Sequence, residues 1–316
     1  MQISVVIPLY NEEDSLVELH EKIISNLENY LIDYEIIFID DGSIDSSWSV
    51  IKNLCSSSKK TKGVQFLTNY GKSMALSEGF KLAKGKIVVT MDADLQDDPK
   101  EIIPLYEMIT ENNYDLVSGW KKKRYDSLIF KNLPSKLFNF AARLSSGISL
   151  NDFNCGIKVY KSDVIKEIEL TSGMHRYIPV LAKKSGFHKI GEKIVKHHPR
   201  AYGNTKYGPD RFIKGFLDLI TLSFFNRFGK RPMHFFGLFG TLILVVGFLF
   251  SVYLGIDKLF INTSGRLITE RPEFYISLAS MIIGSQFFLA GFLGELILRN
   301  SKKTKNYKIK SRLNNE

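Results

Sequence analysis

Residues 86–96, KIVVTMDADLQ, decide the fold class. The first six are mostly apolar and β-branched, as in a buried strand, and the run stops at an acidic loop. Two earlier runs have the same form: ISVVIPL at 3–9 precedes YNEED, and YEIIFI at 34–39 precedes DDGS. Helical spacing of apolar residues separates the runs at 16–27, 46–55 and 74–84, and a short strand is predicted at 63–67. This alternation predicts an α/β domain, in which helices cover both faces of a mostly parallel sheet.

The composition is that of a folded protein. The chain has 316 residues, of which 44% are hydrophobic and only 9 are prolines, so disordered and collagen-like classes are excluded. Two cysteines exclude a disulfide framework and a four-cysteine zinc site. The sequence opens on the strand at 3–9 without a basic signal region, so we expect the N-terminal part in the cytosol.

Two uncharged apolar segments follow, at 235–256 and 274–294. Each is long enough to cross a hydrocarbon core of about 30 Å as a helix. Buried helices of a soluble core are the alternative, but such helices seldom run past about twenty residues without a charge. The sequence therefore predicts two transmembrane helices.

The flanking charges predict the orientation of these helices. Three basic residues lie at 227–231, and seven lie in the tail at 299–316 against the lone Glu316. The loop at 257–273 has balanced charges, so the positive-inside rule places both termini in the cytoplasm and this loop outside. The tail contributes +6 of the net charge of +10, which indicates a membrane surface rather than nucleic acid.

Residues 210–228 place phenylalanine, isoleucine and leucine at helical spacing, with charged residues off that stripe. The pattern is typical of an interfacial helix in the headgroup layer, and a helix that packs on a domain would look similar. We favour the interface because a predicted span follows within ten residues.

The acidic loops mark the expected ligand site, because ligands of parallel sheets bind beyond the carboxyl ends of the strands. Asp92, Asp94 and Gln96 follow one strand and offer oxygen ligands, which suit Mg2+ or Mn2+, and a diphosphate can complete the shell. A solvated turn is the alternative.

Asp40 and Asp41 follow another strand. One carboxylate can accept hydrogen bonds from a nucleotide base, and the other is expected to be only a cap or turn residue.

The motifs resemble a known family. PLYNE at 8–12, IDDGS at 39–43 and MDADLQ at 91–96 are similar to the signature of GT-A glycosyltransferases. Later motifs, VSG at 117–119, PSK at 134–136, DFNCG at 152–156, HPR at 198–200 and GNTKY at 203–207, resemble polyprenyl-phosphate (dolichol-phosphate mannose synthase-like) glycosyltransferases. The match covers about residues 1–208, and the two spans resemble the bacterial membrane-anchored members. It implies a GT-A (Rossmann-like) domain.

The resemblance also implies roles for individual residues. The metal ligands would be Asp92, Asp94 and Gln96, with Asp94, Asp152 and Arg200 at the reacting centre. The nucleotide donor would contact Pro8, Tyr10, Glu12, Asp40 or Asp41, Asp92 and Lys72. The acceptor phosphate would contact Lys121, Lys131, Ser135, Arg200 and Lys206. The family often has arginine where this chain has Lys121 and Lys131, and lysine lacks the bidentate fork.

The expected function is an inverting transfer of a hexose from a nucleotide sugar to polyprenyl (undecaprenyl) phosphate at the cytoplasmic membrane face, giving a β-linked product. UDP-glucose is the favoured donor and GDP-mannose the alternative. A processive polysaccharide synthase would carry a Gln-x-x-Arg-Trp motif and more spans, which this sequence lacks. A membrane scaffold that binds nucleotide sugars without turnover is the non-enzymatic alternative.

The predicted organisation is a catalytic domain at 1–208, an interfacial region at 209–232, two spans at 233–298 and a basic tail at 299–316. A homo-oligomer stays open, because small residues at 284, 285, 291 and 294 could pack helices within or between chains.

Overall fold

A computed structural model describes residues 1–122, 139–140, 142–144, 146–170, 173–199, 202, 231–300 and 309–314. The chain divides into two compact units, Met1–Leu219 with Lys305–Glu316, and Ile220–Thr304. The predicted interfacial helix at 210–228 lies outside the described residues. The four predicted domain boundaries stay predictions.

The first unit is built on strands that alternate with helices, as predicted. Its strands are β1 Ile3–Leu9, β2 Tyr34–Asp40, β3 Thr61–Phe66, β4 Ile87–Thr90, β5 Leu116–Trp120, β6 Lys158–Lys161, β7 Ile190–Ile194 and β8 Ile309–Leu313. Its helices are α1 Leu16–Asn29, α2 Ser47–Ser57, α3 Lys72–Leu82, α4 Ile102–Thr110, α5 Ser162–Glu167 and α6 Ile178–Lys184, with short 3-10 turns at Pro99–Glu101 and Met174–Tyr177.

All eight strands form one sheet in the order β7-β5-β6-β4-β1-β2-β3-β8. The four strands β4, β1, β2 and β3 are mutually parallel, and so are β5 and β7. Strand β6 runs antiparallel between β4 and β5, and β8 runs antiparallel along β3. The predicted α/β domain with a mostly parallel sheet is therefore confirmed. The apolar runs revealed its strands β1 to β4 but not β5 to β8.

The central strands are apolar throughout because both of their faces are covered. On β1, Val5 and Ile7 pack with α1, α2 and α4 in one core cluster, while Val6 packs with α3, α5 and α6 in the other. Successive side chains of a strand point to opposite faces, so a continuous apolar run supplies both cores.

The C-terminal tail forms the last strand of this sheet. Strand β8 pairs with β3, and the amide of Asn314 donates hydrogen bonds to the carbonyl oxygens of Cys55 at 2.7 Å and Thr61 at 3.0 Å. The strand covers the edge that β3 would otherwise expose.

The second unit contains two long apolar helices, α7 Met233–Ile256 and α8 Pro272–Asn300. Both are long and apolar enough to cross a membrane, and only 17% of each apolar window is buried. A helix from the core of a soluble domain would be mostly buried, so this exposure disfavours that alternative.

The helices α7 and α8 contact each other closely at glycine residues. A Cβ atom on Gly284 would lie 2.5 Å from the backbone nitrogen of Leu244, and one on Gly240 would lie 2.7 Å from the carbonyl oxygen of Gly284. Such contacts leave no room for a side chain, so Gly284, one of the small residues predicted to pack helices, does so here within one chain. Oligomerisation stays a prediction.

Candidate active site

Three loops meet at the carboxyl edge of the sheet, because β4, β1 and β2 are neighbours. The loop after β1 is hydrogen-bonded to both others. Asn11 donates its backbone N–H to Ser43 Oγ at 2.9 Å, and Glu12 donates to Ser47 Oγ at 2.9 Å. On the other side, Ser15 Oγ donates to the carbonyl oxygen of Ala93 at 2.7 Å. The PLYNE, DDGS and DAD motifs are thus joined into one site.

The predicted donor residues of the first loop lie at this junction. Pro8 is buried within β1, opposite Ile39 of β2. Tyr10 and Glu12 follow the strand and stay partly exposed, so a ligand at the sheet edge can reach them. Their contact with a nucleotide stays a prediction.

Asp40 and Asp41 both hold neighbouring loops. Asp40 is fully buried and accepts hydrogen bonds from the Ser43 N–H at 2.9 Å and the Gln65 side-chain amide at 3.0 Å. The carboxylate of Asp41 accepts from the N–H groups of Tyr70 at 2.7 Å and Gly71 at 2.9 Å.

Burial raises the pKa of Asp41 to about 6, against the opposing effect of its two hydrogen bonds. Both aspartates therefore have structural partners, and contact of either with a base stays a prediction.

Gly42 is required between these aspartates and Ser43. Its φ is +74°, and a Cβ atom would lie 2.5 Å from the carbonyl carbon of Thr68. Only glycine adopts this backbone without strain at such a close approach.

The DAD loop presents its polar residues on one side. Met91, Ala93 and Leu95 are buried in the core, whereas Asp92, Asp94 and Gln96 alternate with them and are partly exposed. The Gln96 N–H donates to Asp94 Oδ1 at 3.2 Å, and Leu95 has a positive φ of 57°. Core packing thus orients the three predicted metal ligands toward the ligand side.

Asp92, Asp94 and Gln96 fit a divalent-metal site in which the substrate supplies the remaining ligands. Within the described part of the chain, no three His, Cys, Asp or Glu side chains converge as a protein-only metal cage. Two carboxylates and an amide oxygen suit Mg2+ or Mn2+ when substrate phosphates supply further oxygens, as is usual for Mg2+.

Asp92 is surrounded by cations. It forms an ion pair with Lys72, the first residue of α3, and both side chains are about one-third exposed, at 32% and 28%. Burial opposes its ionisation, but Lys72 and Lys121 outweigh that effect and hold the pKa of Asp92 below its usual range. A Cβ atom on Gly156 would lie 2.4 Å from Asp92 Oδ2, so the carboxylate lies directly on that backbone.

Lys121, predicted to bind the acceptor phosphate, is mostly buried. Its ammonium lies 2.7 Å from Asp97 Oδ1, and its side chain is 11% exposed. Burial favours the neutral amine, but Asp97 outweighs it and raises the pKa of Lys121. This lysine is therefore charged and already paired within the protein.

Asp152 lies in a loop that β7 holds in place. Glu192 Oε1 accepts the N–H groups of Asn151 and Asp152, each at 2.8 Å, and Oε2 accepts the side-chain amide of Asn151 at 2.8 Å. Asp152 is 1% exposed, and its Oδ1 accepts the Asn154 N–H at 3.0 Å. Its predicted place at the reacting centre stays a prediction.

Sequence reasoning missed Lys158, His175 and Glu192. Lys158 is buried on β6 opposite Thr90 of β4, and its ammonium donates to the carbonyl oxygen of Cys155. A lone lysine in a short antiparallel strand carries no local signal for this position. Glu192 falls on a half-buried edge strand, where a carboxylate normally faces solvent.

His175 follows α5 in a 3-10 turn and contacts Ser73 of α3. Its backbone N–H donates to Ser73 Oγ at 3.0 Å, and its Nδ1 lies 3.1 Å from the same hydroxyl. Burial, together with Lys72 and Arg176, lowers the pKa of His175 well below its usual value. The imidazole is therefore neutral at pH 7.

The other predicted acceptor residues, Lys131, Ser135, Arg200 and Lys206, lie outside the described residues. Between the last two, Tyr202 is described, and its hydroxyl donates to Glu18 of α1 at 3.1 Å.

Comparison with known structures supports the fold. A glucosyl-3-phosphoglycerate synthase of Mycobacterium tuberculosis, crystallised with phosphoglyceric acid, superposes with a TM-score of 0.54 at 23% identity, over 71% of this chain and 79% of that chain. The same enzyme with Mn2+, UDP-glucose and phosphoglyceric acid gives 0.50 at 20% identity, over 70% and 80%. At such identities the likeness shows the fold alone.

Two curated relatives match nearly the whole chain. A dodecaprenyl-phosphate galacturonate synthase of Rhizobium johnstonii is 34% identical over 95% of this chain and 88% of its own length. An undecaprenyl-phosphate 4-deoxy-4-formamido-L-arabinose transferase of Edwardsiella ictaluri is 34% identical over 94% and 89%. The glycosyl transferase family 2 model matches residues 4–169, which include all three joined loops. The chain belongs to glycosyl transferase family 2.

Proposed function

We propose that this protein transfers a sugar from a nucleotide donor to a polyprenyl phosphate. The observation that carries the proposal is the DAD loop, held with Lys72 beside the PLYNE and DDGS loops at the carboxyl edge of a GT-A sheet. The two relatives named above, which match over nearly their whole length, are named as transferases or synthases that act on polyprenyl phosphates.

The donor diphosphate would bind where Asp92, Asp94 and Gln96 hold a divalent metal. Such a metal neutralises charge on the departing nucleoside diphosphate. Lys72 can pair with a diphosphate oxygen, because it lies at the ligand side of Asp92 and is partly exposed. A helix begins at Lys72, and its N-terminal N–H groups also favour an anion.

The acceptor phosphate is already ionised near neutral pH, so attack needs no strong general base. It needs cations that hold one anion close to another. Lys121 is proposed to add positive charge to this region from within its pair with Asp97. Lys131, Arg200 and Lys206, with the hydroxyl of Ser135, are proposed to contact the phosphate. Asp152 is proposed to position the reacting groups.

We further propose that α7 and α8 span the cytoplasmic membrane and that the catalytic unit faces the cytoplasm. The tail contributes β8 to the catalytic sheet, and an even number of spans leaves the segments before α7 and after α8 on one side of a membrane. The lipid phosphate would then reach a cytosolic nucleotide sugar at the membrane surface.

The sugar is proposed as a hexose, transferred with inversion to give a β-linked product. UDP-glucose stays the first donor to test and GDP-mannose the second. UDP-galacturonate joins them because the Rhizobium johnstonii relative is named as a galacturonate synthase.

The test uses purified protein, undecaprenyl phosphate, Mn2+ or Mg2+ and these donors, with lipid products identified by mass spectrometry. Asp94→Asn should abolish product formation and leave folding unchanged, and the exposed Asp163→Asn on α5 is the matched control. Turnover by Asp94→Asn would contradict the metal assignment. Nucleotide binding without consumption of any donor would favour the scaffold alternative.

A further inference from the structure

An ion pair occupies the centre of the proposed donor site. Lys72 contacts Asp92 directly, and the side chains are 28% and 32% exposed. The pair is therefore open to a ligand from solvent, unlike a sealed structural pair such as Lys62 with Glu35, whose side chains are 8% and 0% exposed.

Each partner is held by a different part of the fold. Asp92 lies against the backbone of Gly156, where a Cβ atom would be 2.4 Å from its Oδ2. The residues before Lys72 are fixed by Asp41, which accepts the N–H groups of Tyr70 and Gly71. Backbone contacts on both sides therefore position the ion pair, which is not a chance contact of one flexible surface side chain.

Other nearby cations are already committed. Lys121 lies 2.7 Å from Asp97, and its side chain is 11% exposed. Lys158 is buried and donates to the Cys155 carbonyl. Lys72 is the most exposed of the three, and its four-carbon stem allows the ammonium to move without moving α3.

We propose that Lys72 is an exchangeable counter-ion that couples the binding of the metal to the binding of the nucleoside diphosphate. The inference rests on the proposed function, because it takes a metal and a diphosphate as the ligands of this site.

The coupling follows from the number of times the ion pair must be broken. A divalent cation that binds alone displaces the ammonium from Asp92 and gives Lys72 no new anion. A diphosphate that binds alone draws Lys72 away and leaves Asp92 next to another anion. When both bind, Asp92 takes the metal, Lys72 takes a diphosphate oxygen, and the pair is broken once for two ligands. Each ligand must therefore tighten the other beyond their direct contact, and by the same factor.

The experiment measures binding without turnover. Free Mn2+ is followed by electron paramagnetic resonance, with and without saturating UDP or GDP, whichever binds more tightly. The variants are Lys72→Met, which removes the charge, and Lys72→Arg, which keeps it. Lys81→Met, an exposed lysine on the same helix, is the matched control. Thermal unfolding verifies that each variant is folded.

Lys72→Met should bind Mn2+ alone about three- to tenfold more tightly than the wild type, because the metal no longer has to displace the ammonium that pairs with Asp92. The factor by which the nucleotide tightens Mn2+ should fall about tenfold, within the usual range of coupling between sites. Lys72→Arg should keep most of the coupling, and Lys81→Met all of it.

Weaker binding of Mn2+ alone by folded Lys72→Met, or an unchanged coupling factor, would overturn the inference. The proposed function would survive either result, since the wild type would still bind both ligands. A wild-type protein that binds no Mn2+ with either nucleotide would overturn both.

Discussion

Glu192 provides the sharpest test of the site, because one carboxylate fixes the Asp152 loop from a neighbouring strand. Its Oε1 accepts two backbone N–H groups at 2.8 Å, and its Oε2 accepts the Asn151 amide at 2.8 Å. Glu192→Gln keeps an acceptor oxygen for both backbone donors and loses only the third hydrogen bond. Glu192→Ala loses all three and leaves the N–H of Asp152, a residue 1% exposed, without its acceptor.

The magnitudes follow from these contacts. Losing one hydrogen bond at the exposed Asn151 costs at most about 1 kcal/mol, so Glu192→Gln should be slightly destabilised. An unsatisfied buried N–H costs about 1–3 kcal/mol, so Glu192→Ala should lose roughly 2–4 kcal/mol in total. If Asp152 positions the reacting groups, a shift of about 1 Å in its loop lowers kcat as much as 100-fold.

The assay combines thermal unfolding with kcat and KM for the donor, measured well below the melting temperature of each variant. Glu192→Ala should lower kcat more than it raises KM, and Glu192→Gln should restore most of kcat. The exposed Glu111→Ala at the end of α4 controls for the loss of a surface carboxylate. Wild-type kcat in folded Glu192→Ala would refute the positioning role, and equal losses in the Ala and Gln variants would refute the hydrogen-bond reasoning.

Three further predictions concern other parts of the molecule. The pKa of Asp41 is raised by burial to about 6, so its contribution to stability is present below pH 4 and is lost as the pH rises through about 6. Asp41→Asn should remove up to roughly 3 kcal/mol of that pH dependence. Thermal melts from pH 4 to 7 in which the melting temperature changes equally with pH in both proteins would contradict this prediction. Gly284→Leu should destabilise the α7–α8 pair by about 1–3 kcal/mol or more, since even a Cβ atom would lie 2.5 Å from the Leu244 nitrogen. Ala290→Leu, at an exposed position of α8, should leave the stability unchanged. The melting temperatures of the two variants in detergent are compared. Deletion of 309–316 should expose the edge of β3, lower the melting temperature and promote aggregation, as measured by light scattering, and an unchanged melting temperature would show that β8 adds no stability.

The sequence could predict the parts of the site that depend on local order. Apolar runs of about six residues ended in acidic loops three times, and parallel strands bring such loops to one edge. For that reason the sequence alone predicts that Asp92, Asp94 and Gln96 lie together at this edge. The alternation of Met91, Ala93 and Leu95 with these three residues even fixes which side chains are partly exposed at this edge.

Contacts between distant segments could not be predicted in this way. Glu192 lies 40 residues from Asp152, and Ser73 lies 102 residues from His175, so no spacing rule connects them. The ion pair of Lys72 with Asp92 likewise depends on how α3 packs against the sheet. The sequence predicted only a basic tail at 299–316. The strand β8 could not be predicted, because it is stabilised by hydrogen bonds with β3 and its own residues have no strand pattern.

Sequence by itself determined the order of the first four strands and the three helices between them, the two apolar helices and the acidic character of the loops, because these depend on the identity and spacing of nearby residues. Tertiary structure alone decided which charges meet. It gave both Asp40 and Asp41 structural partners, paired Lys121 with Asp97, and placed Lys158 and His175 near Asp92. The physical reason is that electrostatic interactions depend on distance in space and on burial, and both are set only when the sheet and its helices pack together.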